Sequence, residues 1–177
     1  DQAPTTKFNP TKPKLVKDIS GHPIKEILKL LGAKGIEGAK ESELQNYRRL
    51  FGFTDRNQDG KHSKAEYVDN GRYLTPESRA GIFNASDSNK DGFVSEKEYI
   101  ENRIITDEAK AIFLSMDSDK NNKLTSEEFT QSKRLKDKNL AKEVFKALDS
   151  NSNEELIIPE YLRVWGAWVR QTITKKA

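Results

Sequence analysis

Four twelve-residue segments of this chain carry acidic and amide side chains at matching positions, at near-constant spacing along the sequence. They begin at Asp55, Asp87, Asp117 and Asp149, and each ends in a glutamate. Side-chain oxygens at positions 1, 3, 5 and 9, a backbone carbonyl at position 7 and a bidentate carboxylate at position 12 form the oxygen shell that Ca²⁺ takes. The four segments, numbered here as loops 1 to 4, therefore predict binding of calcium ions.

Loops 1 to 3 each offer a complete set of oxygen ligands with three carboxylates. Gly60 and Gly92 stand at the sharp turn of position 6, and Asn122 replaces glycine in loop 3. We expect loop 3 to bind as well, because Asn tolerates the left-handed region better than most residues. Since every loop ends in Glu rather than Asp, the longer side chain favours calcium over magnesium. The predicted ligands, with position 7 acting through its carbonyl, are Asp55, Asn57, Asp59, Lys61, Ser63 and Glu66 in loop 1, Asp87, Asn89, Asp91, Phe93, Ser95 and Glu98 in loop 2, and Asp117, Asp119, Asn121, Lys123, Thr125 and Glu128 in loop 3.

Loop 4 is a weaker candidate, because only two of its ligands are carboxylates. Glu154 occupies the turn position, where a left-handed conformation costs a non-glycine residue about 1–2 kcal/mol. Ile157 at position 9 offers no side-chain oxygen, and Pro159 stiffens the approach of the last ligand. Two interpretations stay open, namely an empty or weakly occupied structural loop, which we favour slightly, and a working site. Its ligands would be Asp149, Asn151, Asn153, Glu155 through its carbonyl, and Glu160.

Loop 1 also departs from the pattern at position 8, where His62 replaces the usual aliphatic residue. In calcium-binding loops that resemble these, position 8 normally pairs with a partner loop in a short two-stranded ladder. We expect a polar imidazole to pack less well there. The alternative is a group that titrates near neutrality and senses pH, and of the two we favour weak pairing.

Aromatic residues frame all four loops and distinguish them from ordinary surface turns, which are also rich in Asp and Asn. This apolar frame predicts four helix–loop–helix units at roughly 40–72, 75–103, 106–134 and 138–174. A phenylalanine stands four residues before each loop and an aromatic residue follows it directly, as Phe51, Phe83, Phe113 and Phe145, and Tyr67, Tyr99, Phe129 and Tyr161.

Helix starts are predicted at Thr75–Pro76–Glu77 and at Thr106–Asp107–Glu108, with Thr as the N-cap and acid in the first turn. The last helix carries both tryptophans, Trp165 and Trp168, on an apolar stripe, with basic residues largely off it. Such a helix can bind a membrane or a partner, but we favour packing in the core of the fourth unit.

Two stretches precede the repeats. Residues 1–14 are rich in Pro, Thr and Lys and are predicted to be a disordered leader. Residues 15–38 predict an extra N-terminal helical element, with Pro23 in its first turn and an Ile and Leu face at helical spacing. We expect this helix to cover a hydrophobic groove of its own protein, the alternative being a partner.

The loops and their frame resemble those of the EF-hand superfamily, including the calmodulin, sarcoplasmic calcium-binding and secreted EF-hand proteins. The resemblance covers residues 40–174. It implies an all-α fold of two EF-hand pairs, 40–103 and 106–174, with the extra N-terminal helix outside them. The ligand sets of the four loops predict three firmly bound Ca²⁺ ions and leave a weakly bound fourth open.

Composition excludes several function classes. The chain has no cysteine, so disulfide and thiol chemistry are absent. No apolar run approaches the 18–20 residues of a membrane span. Basic residues are dispersed among acidic ones, which gives no support to nucleic-acid binding. The net charge of +3 is high for such a calcium protein and is compatible with an unidentified anionic or protein partner.

The function predicted from sequence is calcium binding, as a buffer or a calcium-stabilised structural module, rather than catalysis. The chain has one methionine, Met116, whereas promiscuous sensors expose Met-rich grooves. The alternative is a calcium sensor for a specific protein or anionic partner, and a remote one is a photoprotein-like carrier of a small ligand. An amino-terminal Asp1 favours processing, and so a secreted or extracytoplasmic setting over a cytoplasmic one.

Overall fold

A computed structural model describes residues 16–173, which form two compact units. The central unit comprises residues 32–115, and the terminal unit comprises residues 16–31 together with 116–173. The N-terminal helix predicted within 15–38 therefore belongs to the same unit as the end of the chain. The predicted leader, residues 1–14, and the very end of the last predicted helical unit lie outside the described residues.

The described chain is mostly helical, with short antiparallel strand pairs. The pairs are β1 (Asp18–Ile19) with β2 (His22–Pro23), β3 (Lys61–His62) with β4 (Val94–Ser95), and β5 (Lys123–Thr125) with β6 (Glu155–Ile157). None of the helices within residues 16–173 is both long and apolar enough to cross a membrane. The helices are α1 (Ile24–Leu31), α2 (Glu41–Thr54), α3 (Pro76–Ser86), α4 (Glu96–Met116), α5 (Ser126–Gln131), α6 (Lys138–Leu148) and α7 (Ile158–Ile173), with a 3₁₀ turn at Ile36–Gly38 and a π-helical turn at Ala65–Asp69.

The core of the terminal unit is built from amphipathic helices. Helix α1 buries its Ile and Leu face and packs against α7, and β1 contacts α6. Both tryptophans of α7 are buried to about the same extent, at 1% exposure each, which confirms that they belong to the core rather than to a surface stripe. The buried apolar residues of α1, α6 and α7 are Ile24, Ile27, Leu28, Leu31, Leu140, Ala141, Val144, Phe145, Leu148, Tyr161, Val164, Trp165 and Trp168.

The predicted helix start at Thr75 is confirmed, but the one at Thr106 is wrong. Thr75 caps α3 by accepting a hydrogen bond from the Ser78 amide at 3.2 Å. Helix α4 instead runs without a break through Thr106. The Thr106 hydroxyl donates back to the carbonyl of Asn102 at 2.8 Å, a bond available to Thr inside a helix. The same residue type therefore serves as a cap in one place and as an interior residue in the other.

The acids that follow Thr106 bind other parts of the central unit instead of a helix terminus. Asp107 accepts a hydrogen bond from the Tyr47 hydroxyl of α2 at 2.7 Å. Burial, together with this bond to a carboxylate, raises the pKa of Tyr47 to about 12. Glu108 accepts from the backbone amides of Lys34 and Gly35 at 3.1 and 3.2 Å. Within the central unit, the middle of α4 therefore holds α2 and the segment that precedes α2.

The expectation that His62 packs poorly is wrong. His62 is fully buried and pairs with Val94 in the β3–β4 ladder. Its ring stacks on Phe51 at 4.1 Å between ring centres and meets Tyr99 edge to face. Its Nε2 lies 2.9 Å from the Phe51 carbonyl, and since a carbonyl only accepts, Nε2 carries the proton. Burial lowers the pKa of His62, so the imidazole is a neutral aromatic core residue.

This packing predicts unequal roles for the chain's two histidines. His62→Ala should lower the free energy of unfolding by about 2–4 kcal/mol, because it removes a buried stacked ring. His22, half-exposed beside Glu26, is the matched control, and His22→Ala should change stability by less than about 0.5 kcal/mol. Urea unfolding in chelator, followed by circular dichroism, gives both values. Equal losses in the two variants would contradict the core role of His62.

Candidate metal sites

Each loop lies between two helices and starts where the first helix ends. The first residues of loops 1, 2 and 4 donate their backbone amides to Phe51, Phe83 and Phe145, which gives each helix its final hydrogen bond. The phenylalanines of the predicted frame are thereby placed in the last turn, against the core. The position-1 aspartates are all buried, with exposures between 4 and 8%, namely Asp55, Asp87, Asp117 and Asp149. The chain thus delivers one buried carboxylate to the base of every loop.

Backbone amides of each loop hold its position-1 carboxylate in a fixed orientation. In loop 2 the Asp91 amide donates to Oδ1 of Asp87 at 3.2 Å, and the Gly92 amide donates to Oδ2 at 3.0 Å. The other three loops repeat both bonds, and the bond from position 6 measures between 2.8 and 3.0 Å in all four. Each loop is therefore wrapped around its own first residue.

The turn at position 6 is left-handed in all four loops, whatever residue occupies it. Gly60 and Gly92 have φ of 82° and 86°, and Asn122 and Glu154 both adopt 64°. For Glu154 this conformation is strained, yet its amide makes the same bond to Asp149 at 2.8 Å as its counterparts make. The departure from glycine in loops 3 and 4 therefore leaves the loop geometry unchanged.

Side chains at positions 3 and 5 continue the same pattern. In loop 1, Asn57 Oδ1 accepts from the Asp59 amide at 3.2 Å, and Asp59 Oδ1 accepts from the Lys61 amide at 3.1 Å. The residues at position 7 are those whose carbonyl oxygens are predicted to bind calcium. In loops 1, 3 and 4 this residue is the first of a strand, and in loop 2 Phe93 directly precedes β4. The equivalent bonds at position 5 involve Asp91, Asn121 and Asn153.

The glutamate of position 12 reaches back across loops 1 to 3 and is held by position 9. Glu98 accepts from the Ser95 amide at 3.1 Å with one oxygen and from the Ser88 amide at 2.7 Å with the other. In return, the Ser95 hydroxyl accepts from the Glu98 amide at 3.2 Å. Ser63 with Glu66 and Thr125 with Glu128 repeat this exchange. Position 9 thus orients the last ligand while capping the helix that follows.

These hydrogen bonds set the pKa of the position-12 carboxyls. In Glu66 the amide of Ser63 is the main cause of a lowered pKa. Burial pushes the pKa of Glu98 and Glu128 upwards, but the amides and hydroxyls around them outweigh it and leave both lowered. The three glutamates are therefore ionised at neutral pH and are ready to bind a cation.

Loop 4 leaves its glutamate in a different state. Glu160 is 1% exposed, and its Oε1 accepts from the Asn151 amide and the Ser150 hydroxyl at 3.3 and 3.2 Å. Its Oε2 is buried with no hydrogen-bond partner, and Ile157 at position 9 has no hydroxyl that could donate to it. Burial, with the nearby Asp149 charge, raises the pKa of Glu160. A buried carboxylate oxygen without a partner calls for a proton or a cation.

The converging groups in the first three loops fit a hard divalent cation. Carboxylate oxygens within each loop lie within 4.8 Å of one another, in the sets Asp55, Asp59 and Glu66, then Asp87, Asp91 and Glu98, and then Asp117, Asp119 and Glu128. The candidate donors are all oxygens, which calcium prefers. Desolvation and the neighbouring carboxyls of Asp117 and Glu128 raise the pKa of Asp119, so gathering these charges carries a cost that a cation offsets.

The sequence interpretation missed the serine at position 2. Its hydroxyl donates to the position-12 glutamate in three loops, as Ser88 to Glu98 at 3.1 Å, Ser118 to Glu128 at 3.2 Å and Ser150 to Glu160 at 3.2 Å. The recurring Asp-Ser pair that opens loops 2, 3 and 4 is the signal that could have revealed it. Loop 1 has Arg56 there, which supplies only its backbone amide, at 3.1 Å from Glu66.

A family comparison agrees with the geometry of loop 2. The family model for the EF hand matches residues 79–101, which span most of α3, loop 2 and the start of α4. No curated protein matches the chain. The match and the three acidic clusters support a calcium-binding EF-hand in this chain.

Removing the last ligand of loop 2 should abolish calcium binding there. Glu98→Gln should remove one binding event and weaken binding at loop 1 as well, because β3 and β4 join the two loops. Glu101→Gln, one turn further along α4, makes the same chemical change outside the loop and is the control. Calorimetric calcium titration measures both. Unchanged stoichiometry in Glu98→Gln would contradict the assignment of loop 2.

The unpartnered oxygen of Glu160 predicts that removing its charge stabilises the metal-free protein, whereas removing the charge of Glu128 destabilises it. The raised pKa of Glu160 means that ionisation destabilises the folded state above that pKa, so Glu160→Gln should stabilise the metal-free terminal unit at pH 7. Glu128→Gln is the control, since the lowered pKa of Glu128 means that its charge stabilises the fold, and its loss should destabilise. Urea unfolding in chelator, detected by tryptophan fluorescence, compares them. A destabilised Glu160→Gln protein would refute this account.

Proposed function

We propose that this chain is a calcium-binding protein with two EF-hand pairs, loops 1 and 2 in the central unit and loops 3 and 4 in the terminal unit. Loops 1 to 3 take calcium firmly and loop 4 takes it more weakly. The observation that carries this proposal is one scheme of amide-to-carboxylate hydrogen bonds, repeated in four loops that are joined two by two through β3–β4 and β5–β6.

The chain's own groups preorganise each site before an ion arrives. Backbone amides fix the position-1 aspartate, and the amide of position 9 fixes the position-12 glutamate in the first three loops. Bound calcium supplies the positive charge that offsets repulsion among the gathered carboxylates. Because the clustered carboxylates of the described residues all serve the loops, we propose ion binding rather than catalysis.

We propose that calcium stabilises the fold of this protein, or is buffered by the protein, and that it does not trigger a promiscuous sensor. The single methionine, Met116, is buried at 3% exposure. The amphipathic α1 already covers α7 in the terminal unit. A protein that binds calcium only when folded gains stability by RT ln(1 + [Ca²⁺]/Kd), about 2.7 kcal/mol at a hundredfold excess over Kd.

A second candidate is calcium-dependent recognition of an anionic partner. It is favoured by a groove of about 370 Å³ between α5 and α6, lined by Lys133, Lys138 and Lys142. Glu127 also lines this groove and reduces its positive charge. Calcium loading would raise the net charge of +3 further and strengthen attraction to an anion. Binding that weakens steeply with salt and needs calcium would support this candidate.

Calorimetric titration of the calcium-stripped protein in millimolar magnesium tests the proposal. We expect three equivalents of calcium to bind and a fourth to follow at higher concentration. Dissociation constants near 10⁻⁷–10⁻⁵ M would indicate a protein that answers intracellular signals, whereas values of about 10⁻⁴–10⁻³ M would fit a secreted module kept loaded by its surroundings. Binding of magnesium without binding of calcium, or binding of fewer than three calcium equivalents, would contradict the proposal.

A further inference from the structure

Residues 16–31, which we call the N-terminal segment, contact both helices that flank loop 4. Strand β1 of the segment packs on α6, and helix α1 packs on α7. Helix α6 ends at Leu148, directly before Asp149, and α7 carries Glu160 in its first turn. The two carboxylates of loop 4 are therefore attached to the two helices that the segment spans.

The segment is secured at both ends as well as along its apolar face. The side chain of Gln171 on α7 donates to the Val16 carbonyl at 2.9 Å. The guanidinium of Arg134, between α5 and α6, donates to the Leu31 carbonyl at 2.8 Å, which satisfies an end carbonyl of α1. Between these bonds, the apolar face of α1 is almost entirely buried, with Ile27 and Leu31 at 0% exposure. The segment is thus held as a bound helix is held in a groove.

Calcium can change the relative placement of the two helices around an EF-hand loop, strongly in sensor proteins and only slightly in buffer proteins. A segment attached to both helices favours one placement over others. In the structure the docked segment coexists with loop 3 carboxylates gathered within 4.8 Å and with Glu160 folded into its loop. The placement of α6 and α7 that docking favours is therefore one in which the loop 3 carboxylates are gathered and Glu160 contacts its own loop.

We propose that the N-terminal segment is a tethered ligand of the terminal unit, and that its docking and calcium binding at loops 3 and 4 strengthen each other. The proposal rests on the calcium-binding function proposed above. Coupling between two binding equilibria is reciprocal, so loosening the segment weakens calcium binding and removing calcium loosens the segment by the same factor. A partner helix would have to displace α1, and would need aliphatic side chains at the spacing of Ile24, Ile27, Leu28 and Leu31.

Both tryptophans of the chain lie in α7, beneath α1, so their fluorescence reports on this unit. Ile27→Ala, on the buried face of α1, should shift the tryptophan-detected calcium midpoint about tenfold to higher concentration, within the usual range of coupling. Leu30→Ala, on the exposed face of the same helix, is the matched control and should leave the midpoint unchanged. Equal midpoints in the two variants and the wild type, or a tighter midpoint in Ile27→Ala, would overturn the coupling.

Limited proteolysis of the unmodified chain gives a second test that needs no variant to fold. Lys25 and Lys29 are exposed on α1, but trypsin can cut after them only when the helix opens. Calcium should slow cleavage at both sites about tenfold relative to chelator, as followed by mass spectrometry. Equal cleavage rates with calcium bound would overturn the coupling alone, whereas failure of the wild-type protein to bind calcium at any loop would overturn the proposed function itself.

Discussion

Carboxylates repel one another, and each of loops 1 to 3 gathers three of them within 4.8 Å. The chain meets this constraint with its own backbone, because consecutive amides of each loop point at the acidic oxygens. Charge-assisted bonds of this kind are roughly twice as strong as neutral ones. The same bonds accompany the left-handed turn at position 6 and the helix that starts just after position 9. Loop conformation, helix boundaries and ligand placement are therefore consequences of a single electrostatic requirement.

The loops pair through short antiparallel strands, and the two pairs differ in the contacts that stabilise the pairing. In the central unit the ladder is two residues long and is reinforced by the stack of His62 on Phe51. In the terminal unit it is three residues long, pairs Leu124 with Leu156, and carries a Lys123–Glu155 ion pair at 2.9 Å. The second ladder uses aliphatic packing where the first uses an aromatic ring. Both place a buried side chain at position 8, between the loops.

The sequence was most informative where structure is local. The turn at position 6 and the Thr75 cap depend on residues a few positions apart, so spacing alone predicted them. Three features depend on distant contacts and escaped prediction. Thr106 lies inside α4, where the acids that follow it bind Tyr47 and the Lys34 and Gly35 amides. His62 packs because Phe51 and Tyr99 provide aromatic faces. Glu160 is buried with one of its two carboxylate oxygens unpartnered. A single sequence states residue types, but not which distant surface meets them.

The terminal unit is discontinuous along the chain, since residues 16–31 precede the whole central unit and residues 116–173 follow it. During synthesis the central unit emerges complete and can fold at once, because domains fold as they leave the ribosome at about 5–20 residues per second. Helix α1 is made earlier but can pack on α7 only after residues 158–173 have been added. Its apolar face therefore lacks its partner while the whole central unit is being made, and a chaperone can capture it during that time.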